Sequence, residues 1–253
     1  YLRPTMRRVP WFHGSALVLG LLASACAGRV PQLQKEEPRV FVSPTHDATR
    51  APVGIMSRVF EDATRNRTLA TTVWYPAAAG SVEHEIEWDG IFMGSGVWNV
   101  ALRSSPRRLP LVLLSHGSGA DSSNLTWLAE ALASHGYLVA ATDHPGDRFG
   151  DSTQVGRFAA WRRPRDVSVV LDRLLADPVL GPRIDRTRIA AAGHSSGAYT
   201  ALALVGARLR PRQYLAYCAS RRRGFDCKLF DDLDPQQIPD LADGEKSYRD
   251  PRI

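Results

Sequence analysis

The sequence predicts an α/β protein, a mostly parallel sheet with helices on both faces. Three observations lead there. From residue 109 onward, apolar runs of strand length alternate with stretches of helical periodicity. The runs 109–115 and 137–142 are almost continuously apolar, as strands covered on both faces must be. Finally, Gly193-His194-Ser195-Ser196-Gly197 separates a third such run from a helix of small apolar residues, so the chain turns from strand to helix across one serine. The composition agrees. With 253 residues, 44% hydrophobic, 8% aromatic and 23% charged, the chain is globular in type. It is not a multi-span membrane protein, a collagen, a repeat solenoid or a disulfide-dense toxin.

Taken in order, residues 1–25 read as an export signal. Arg7-Arg8 form a basic start, and Ser15 to Ala25 is small and apolar. Residues 1–5, ahead of Met6, fit untranslated sequence. Ala23-Ser24-Ala25-Cys26 suits either simple cleavage or a bacterial lipoprotein signal, in which Cys26 is lipidated and anchors the protein to a membrane. The apolar run is about half the length of a spanning helix. Residues 26–50, with Pro31, Pro38 and Pro44 among many charges, read as a tether. A domain spanning 51–253 follows.

Val53–Phe60 and Thr68–Tyr75 are β-rich and predict a hairpin. Residues 80–108 carry Gly90, Gly94, Gly96, Trp88 and Trp98, and read as an irregular surface excursion. Leu109–Ser115 is the first buried strand. Leu125, Leu128 and Leu132 stripe a helix that Gly136 stops, and Tyr137–Thr142 is the next strand. Val167, Val170, Leu171, Leu174 and Leu175 stripe a helix starting after Pro164. Arg188–Ala192 is the third strand. Ala198–Leu209, apolar nearly all round, predicts a deeply buried helix.

The chemistry concentrates at Ser195. A strand–turn–helix bearing G-x-S-x-G is a nucleophile elbow, whose serine stands on a strained turn with its hydroxyl in the open. Gly193 and Gly197 leave room where side chains would strike the neighbouring backbone. The helix start supplies free N–H groups suited to an oxyanion. The loop His116-Gly117-Ser118-Gly119, at the carboxyl end of its strand, can present another. Ser118 N–H and Ser196 N–H are therefore the expected oxyanion hole. His116 is expected to orient that loop by hydrogen bonding. Cys218 and Cys227 stand in an Arg-rich stretch. In an oxidising compartment they can pair, and two free thiols is the other reading. No spacing suggests zinc or another metal, and no motif calls for a cofactor. The net charge of +6 owes half its size to Arg3, Arg7 and Arg8, an excess too mild for a nucleic-acid surface. Arg221-Arg222-Arg223 reads as a solvated loop, with anionic head groups as the alternative partner.

Five motifs in order resemble the α/β-hydrolase superfamily. They are Val73-Trp74-Tyr75-Pro76, Ser115-His116-Gly117-Ser118-Gly119, Asp143-His144-Pro145-Gly146-Asp147, Arg163-Pro164-Arg165-Asp166 and the elbow itself. More narrowly, the chain is similar to exported bacterial hydrolases related to platelet-activating-factor acetylhydrolase, and to those labelled dienelactone hydrolase-like. The resemblance implies a carboxylic ester hydrolase with Ser195 as nucleophile, no cofactor, and a small short-acyl or phospholipid-type ester as substrate. A polyester or cutin-type hydrolase is the second enzyme reading. It also implies a triad in the order Ser, acid, His. The histidines are 13, 46, 84, 116, 135, 144 and 194, and none follows Ser195. The triad acid and base are thus expected beyond this chain, which reads as truncated at its C-terminus, inactive alone and poorly soluble. Two other readings stand beside that one: a catalytically dead hydrolase fold serving as an envelope binding lipoprotein, and an enzyme using His116 or His144 as base.

Overall fold

The computed structural model describes residues 50–88, 91–220, 227, 233–238 and 240–253. The export signal, Cys26, nearly all of the tether and Arg221-Arg222-Arg223 lie outside these residues. Strands β1 (Val53–Asp62) and β2 (Arg67–Pro76) form the expected antiparallel hairpin. The stretch expected to be irregular instead holds a second hairpin, β3 (His84–Trp88) and β4 (Ile91–Trp98), and β4 pairs parallel with β1. Gly94 and Gly96 serve close packing here and not turns. A Cβ at Gly94 would stand 1.9 Å from Glu130 Oε1, and one at Gly96 2.7 Å from Ile55 Cδ1.

The remaining elements are β5 (Leu109–Ser115), α1 (Thr126–Ser134), β6 (Leu138–Thr142), the short pair β7 (Asp147–Arg148) and β8 (Asp151–Ser152), α2 (Gln154–Phe158), α3 (Arg162–Ala176), β9 (Ile184–Gly193), α4 (Ser196–Leu204) and α5 (Pro211–Ala219). The main sheet runs β3-β4-β1-β2-β6-β5-β9. Its β6-β5-β9 end is parallel, and β2 joins it antiparallel.

Period-two alternation divides the core between two faces. Leu111 and Leu113 of β5, Leu138 and Ala140 of β6, and Val73 and Tyr75 of β2 pack with Val167, Val170, Leu171 and Leu174 of α3. Their neighbours Val112, Leu114, Val139, Ala141 and Trp74 pack with Leu125, Ala129 and Ala133 along α1. Helices therefore cover both faces, and the carboxyl ends of β5, β6 and β9 open at one edge, where crevices of α/β sheets form.

Two helix boundaries differ from expectation. α3 starts at Arg162, ahead of Pro164, because a proline in a first helical turn gives up an N–H that had no partner there. α4 stops at Leu204 and not Leu209, because Gly206 takes φ +116 and the N–H of Ala207 closes on Leu202 O. Nor is α4 buried all round: Leu202 is 58% exposed, and its C-cap Val205 57%. β9 is the last strand of the described sheet, so no described element covers that side of the helix. Cys218, expected in a loop, lies in the last turn of α5 and is disulfide-bonded to Cys227. Among the described residues no helix is long and apolar enough to cross a membrane.

Candidate active site

The last residues of β9 and the first of α4 meet at Ser195, which is exposed and takes φ 53 and ψ −117. A non-glycine residue reaches this region only under strain held by its surroundings. The two flanking glycines show what holds it. A Cβ on Gly193 would lie 2.4 Å from the Gly197 carbonyl carbon and 2.6 Å from Ser115 O. A Cβ on Gly197 would lie 1.9 Å from Ser115 O. The elbow is thus pressed against the end of β5, and His194 N–H donates to Ser115 O at 3.3 Å. The Ser195 hydroxyl makes no capping bond to its own helix.

The loop 116–119 lies against the elbow: a Cβ on Gly117 would be 3.7 Å from Ser195 Cβ and 3.2 Å from His194 Nδ1. Among the described residues, the backbone N–H groups of Ser118 and Ser196 donate no hydrogen bond within the fold. Both are the groups expected to face an oxyanion. Gly119 takes φ +71, a conformation open to glycine at no steric cost.

Beneath the loop runs a buried polar chain. Ser115 Oγ lies 2.9 Å from His144 Nε2, and His144 Nδ1 lies 2.9 Å from Asp166 Oδ2. Asp166 also accepts from Arg67 Nε at 2.8 Å and Nη2 at 2.6 Å, and pairs with Arg65 Nη1 at 2.9 Å. A carboxylate only accepts, so His144 carries its proton on Nδ1 and accepts a hydrogen bond from the Ser115 hydroxyl at Nε2. Burial pulls the His144 imidazole down to about 3, against the opposing pull of Asp166. Burial pushes Asp166 up, but bonds from His144 and Arg67 outweigh it and hold the carboxyl at about 2.

This Ser–His–Asp chain has the order of a catalytic triad and none of its access, since His144 and Asp166 are both 0% exposed. His116 is equally committed: its Nδ1 lies 2.7 Å from Gly117 O, and its Nε2 accepts from His144 N–H at 3.1 Å. With every ring nitrogen of both residues bonded inside the fold, the reading of His116 or His144 as base for Ser195 is set aside. Asp143 is a loop-shaping residue, its Oδ1 accepting from Ser122 N–H at 2.8 Å. No cluster of three or more metal-ligating side chains occurs among the described residues.

Three buried residues were named in the sequence only as parts of motifs. Arg163 and Asp147 are 1% and 2% exposed and form an ion pair at 2.6 Å under the 116–119 loop. Asp166 is the third. A charged residue inside a motif signals a partner, but only the fold says which one.

Residues 106–220 match the family model described as serine aminopeptidase, S33. A stretch of 59 residues is 41% identical to platelet-activating factor acetylhydrolase from Bos taurus, covering 22% of this chain and 13% of that protein. A stretch of 99 residues is 32% identical to cutinase est2 from Thermobifida alba, covering 38% of this chain and 30% of the cutinase. Among solved structures, the ferulic acid esterase from Streptomyces cinnamoneus superposes with a TM-score of 0.52 at 32% identity, over 61% of this chain and 55% of the esterase. The chain therefore spans 13% and 30% of the two curated relatives and 55% of that esterase. The parallel β6-β5-β9 core, the strained elbow and these likenesses together show the α/β-hydrolase fold.

Proposed function

We propose that the protein hydrolyses small carboxylic esters through an acyl-enzyme on Ser195. The observation that carries this is the elbow itself: an exposed serine at φ 53, ψ −117, beside two backbone N–H groups with no partner among the described residues. In this reading Ser195 Oγ attacks the ester carbonyl carbon and gives its proton to a general base outside the described residues, which returns it to the leaving alcohol. The oxygen that becomes negative is received by Ser118 and Ser196 N–H. The alcohol leaves, and water then releases the acid and regenerates the serine.

A cavity of about 500 Å³ beside α4 supports an apolar acid or alcohol portion. Phe158, Trp161, Tyr199, Leu209, Pro211 and Tyr214 line it. Tyr199 belongs to α4, the helix that begins at the elbow, so the cavity adjoins the helix that Ser195 caps. The likeness to an acetylhydrolase, a cutinase and a ferulic acid esterase favours short acyl or aryl esters. Export fits the basic and apolar start of the chain, the small residues before Cys26, and the Cys218–Cys227 disulfide, which needs an oxidising compartment. Lipidation at Cys26 would add a membrane anchor, readable as a mass increment on the N-terminal peptide.

The full-length protein should hydrolyse p-nitrophenyl acetate and take up a fluorophosphonate probe at Ser195. Ser195→Ala should abolish both. Wild-type activity retained by Ser195→Ala would overturn the assignment.

A further inference from the structure

We propose that Arg163 and Asp147 act as positioning residues that set the direction of the Ser118 N–H by pinning the peptide plane before it. The inference rests on the reading of Ser195 as nucleophile and Ser118 N–H as oxyanion donor. Its physical basis is the geometry of one amide. Gly117 C=O and Ser118 N–H belong to the same planar group, and the chain contains no described cis peptide. In a trans peptide these two bonds point in opposite directions. Whatever fixes the carbonyl therefore fixes the N–H.

Gly117 O is held from the protein side by two donors. His116 Nδ1 reaches it at 2.7 Å and Arg163 Nη2 at 3.3 Å. Arg163 Nη1 holds the preceding carbonyl, His116 O, at 2.5 Å. The same guanidinium is anchored by Asp147, through Oδ2 at 2.6 Å and the backbone O at 3.3 Å. Asp147 then grips the far side of the loop, its Oδ1 accepting from Ser118 Oγ and Gly119 N–H, both at 2.8 Å. One buried ion pair thus ties down residues 116 to 119 from both ends.

The loop needs such restraint because of its own composition. Gly117 and Gly119 flank Ser118 and would let its peptides rotate with little steric opposition. A rotated Gly117–Ser118 peptide would aim a carbonyl oxygen where the oxyanion forms, replacing attraction by repulsion. Arg163 is suited to the task because its planar fork spans several acceptors at once, which a lysine ammonium on a flexible stem does less well.

The test uses the full-length protein with Arg163→Met, Arg163→Lys and Asp147→Asn. For Arg163→Met, kcat on p-nitrophenyl acetate should fall by about tenfold to a hundredfold, within the loss known for a whole oxyanion donor, about 10²–10³. KM should stay within about threefold, and Arg163→Lys should recover part of kcat. A residue serving stability alone would not split kcat from KM in this way. Hydrogen exchange at the Gly119 amide gives a readout without turnover and should quicken by about tenfold or more in Asp147→Asn and Arg163→Met. A folded Arg163→Met with kcat within twofold of wild type overturns the proposal. So does an unchanged Gly119 amide in either variant. Should Arg163→Met fail to fold, Arg163→Lys and Asp147→Asn decide the matter. If Ser195→Ala keeps wild-type turnover, the nucleophile assignment has failed instead, and exchange at Gly119 still reports whether the pair restrains the loop.

Discussion

Ser195 holds a backbone conformation that L residues avoid, and it does so at φ 53, ψ −117. Such strain costs on the order of 1–3 kcal/mol and persists because the surroundings impose it. Glycine adopts that region without a Cβ penalty. Ser195→Gly should therefore raise stability by about 1 kcal/mol in urea unfolding while removing the hydroxyl. Ser195→Ala, which keeps the Cβ, should leave stability near wild type, and equal midpoints for the two variants would refute stored strain. The flanking glycines behave in the opposite sense. Gly197→Ala would place a methyl 1.9 Å from a backbone oxygen of β5 that has no freedom to move. It should fail to give soluble, cooperatively melting protein.

At the scale of elements, Asp166 on α3 joins the start of β2, through Arg67, to the ends of β5 and β6, through His144 and Ser115. Removing one partner from a buried charge group costs about 3–5 kcal/mol, because the others are left uncompensated. Asp166→Asn should lose stability of that order, seen as a lower urea midpoint. The network also sets a pH response. The folded His144 titrates near 3 and an unfolded histidine near 6.5. Between those values the unfolded chain binds a proton that the folded chain refuses. The stability contribution is whole above pH 6.5 and is lost as pH falls toward 3, by about 1.4 kcal/mol per unit. Burial lowers His116 as well, which adds in the same direction.

Glu130 on α1 runs the other way. Burial raises it to about 7, so its contribution is present below its unfolded value of 4.5 and is lost as pH climbs to 7. The two linkages oppose each other between pH 4.5 and 6.5. Against a Glu130→Gln background the midpoint should therefore fall more steeply on acidification than in wild type. Parallel curves would remove Glu130 from the account. Since Ser95 N–H donates to Glu130, the same titration touches the seat of the β3–β4 hairpin on α1.

At the scale of the molecule, and among the described residues, the sheet is well covered through β5 and open at β9. Residues of β9 are largely exposed or half-buried, in contrast to the fully buried β6. Leu202 of α4 and Val205, which caps that helix, stand in solvent beside it. An unpaired strand edge next to exposed aliphatic side chains is a template for association. The 253-residue chain should self-associate with rising concentration, as followed by light scattering. Leu202→Lys with Val205→Lys should shift it toward monomer, and a wild-type chain that stays monomeric at high concentration would contradict this.

Where hydrophobic period and glycine placement suffice, the sequence was enough by itself. The β1–β2 hairpin, the buried strands β5 and β6, and the elbow around Ser195 all follow from local pattern, since each obeys a rule of spacing within a few residues. The second hairpin did not, because Gly94 and Gly96 look like turn residues until Glu130 and Ile55 are seen packed against them. Helix α4 looked fully buried because apolar composition says what a helix can cover, not whether anything lies there. The pairing of Arg163 with Asp147, and of Asp166 with Arg67 and His144, belonged to the tertiary structure alone. A buried charge must find its partner across space, and nothing in local spacing records which distant residue the fold brings within hydrogen-bond reach.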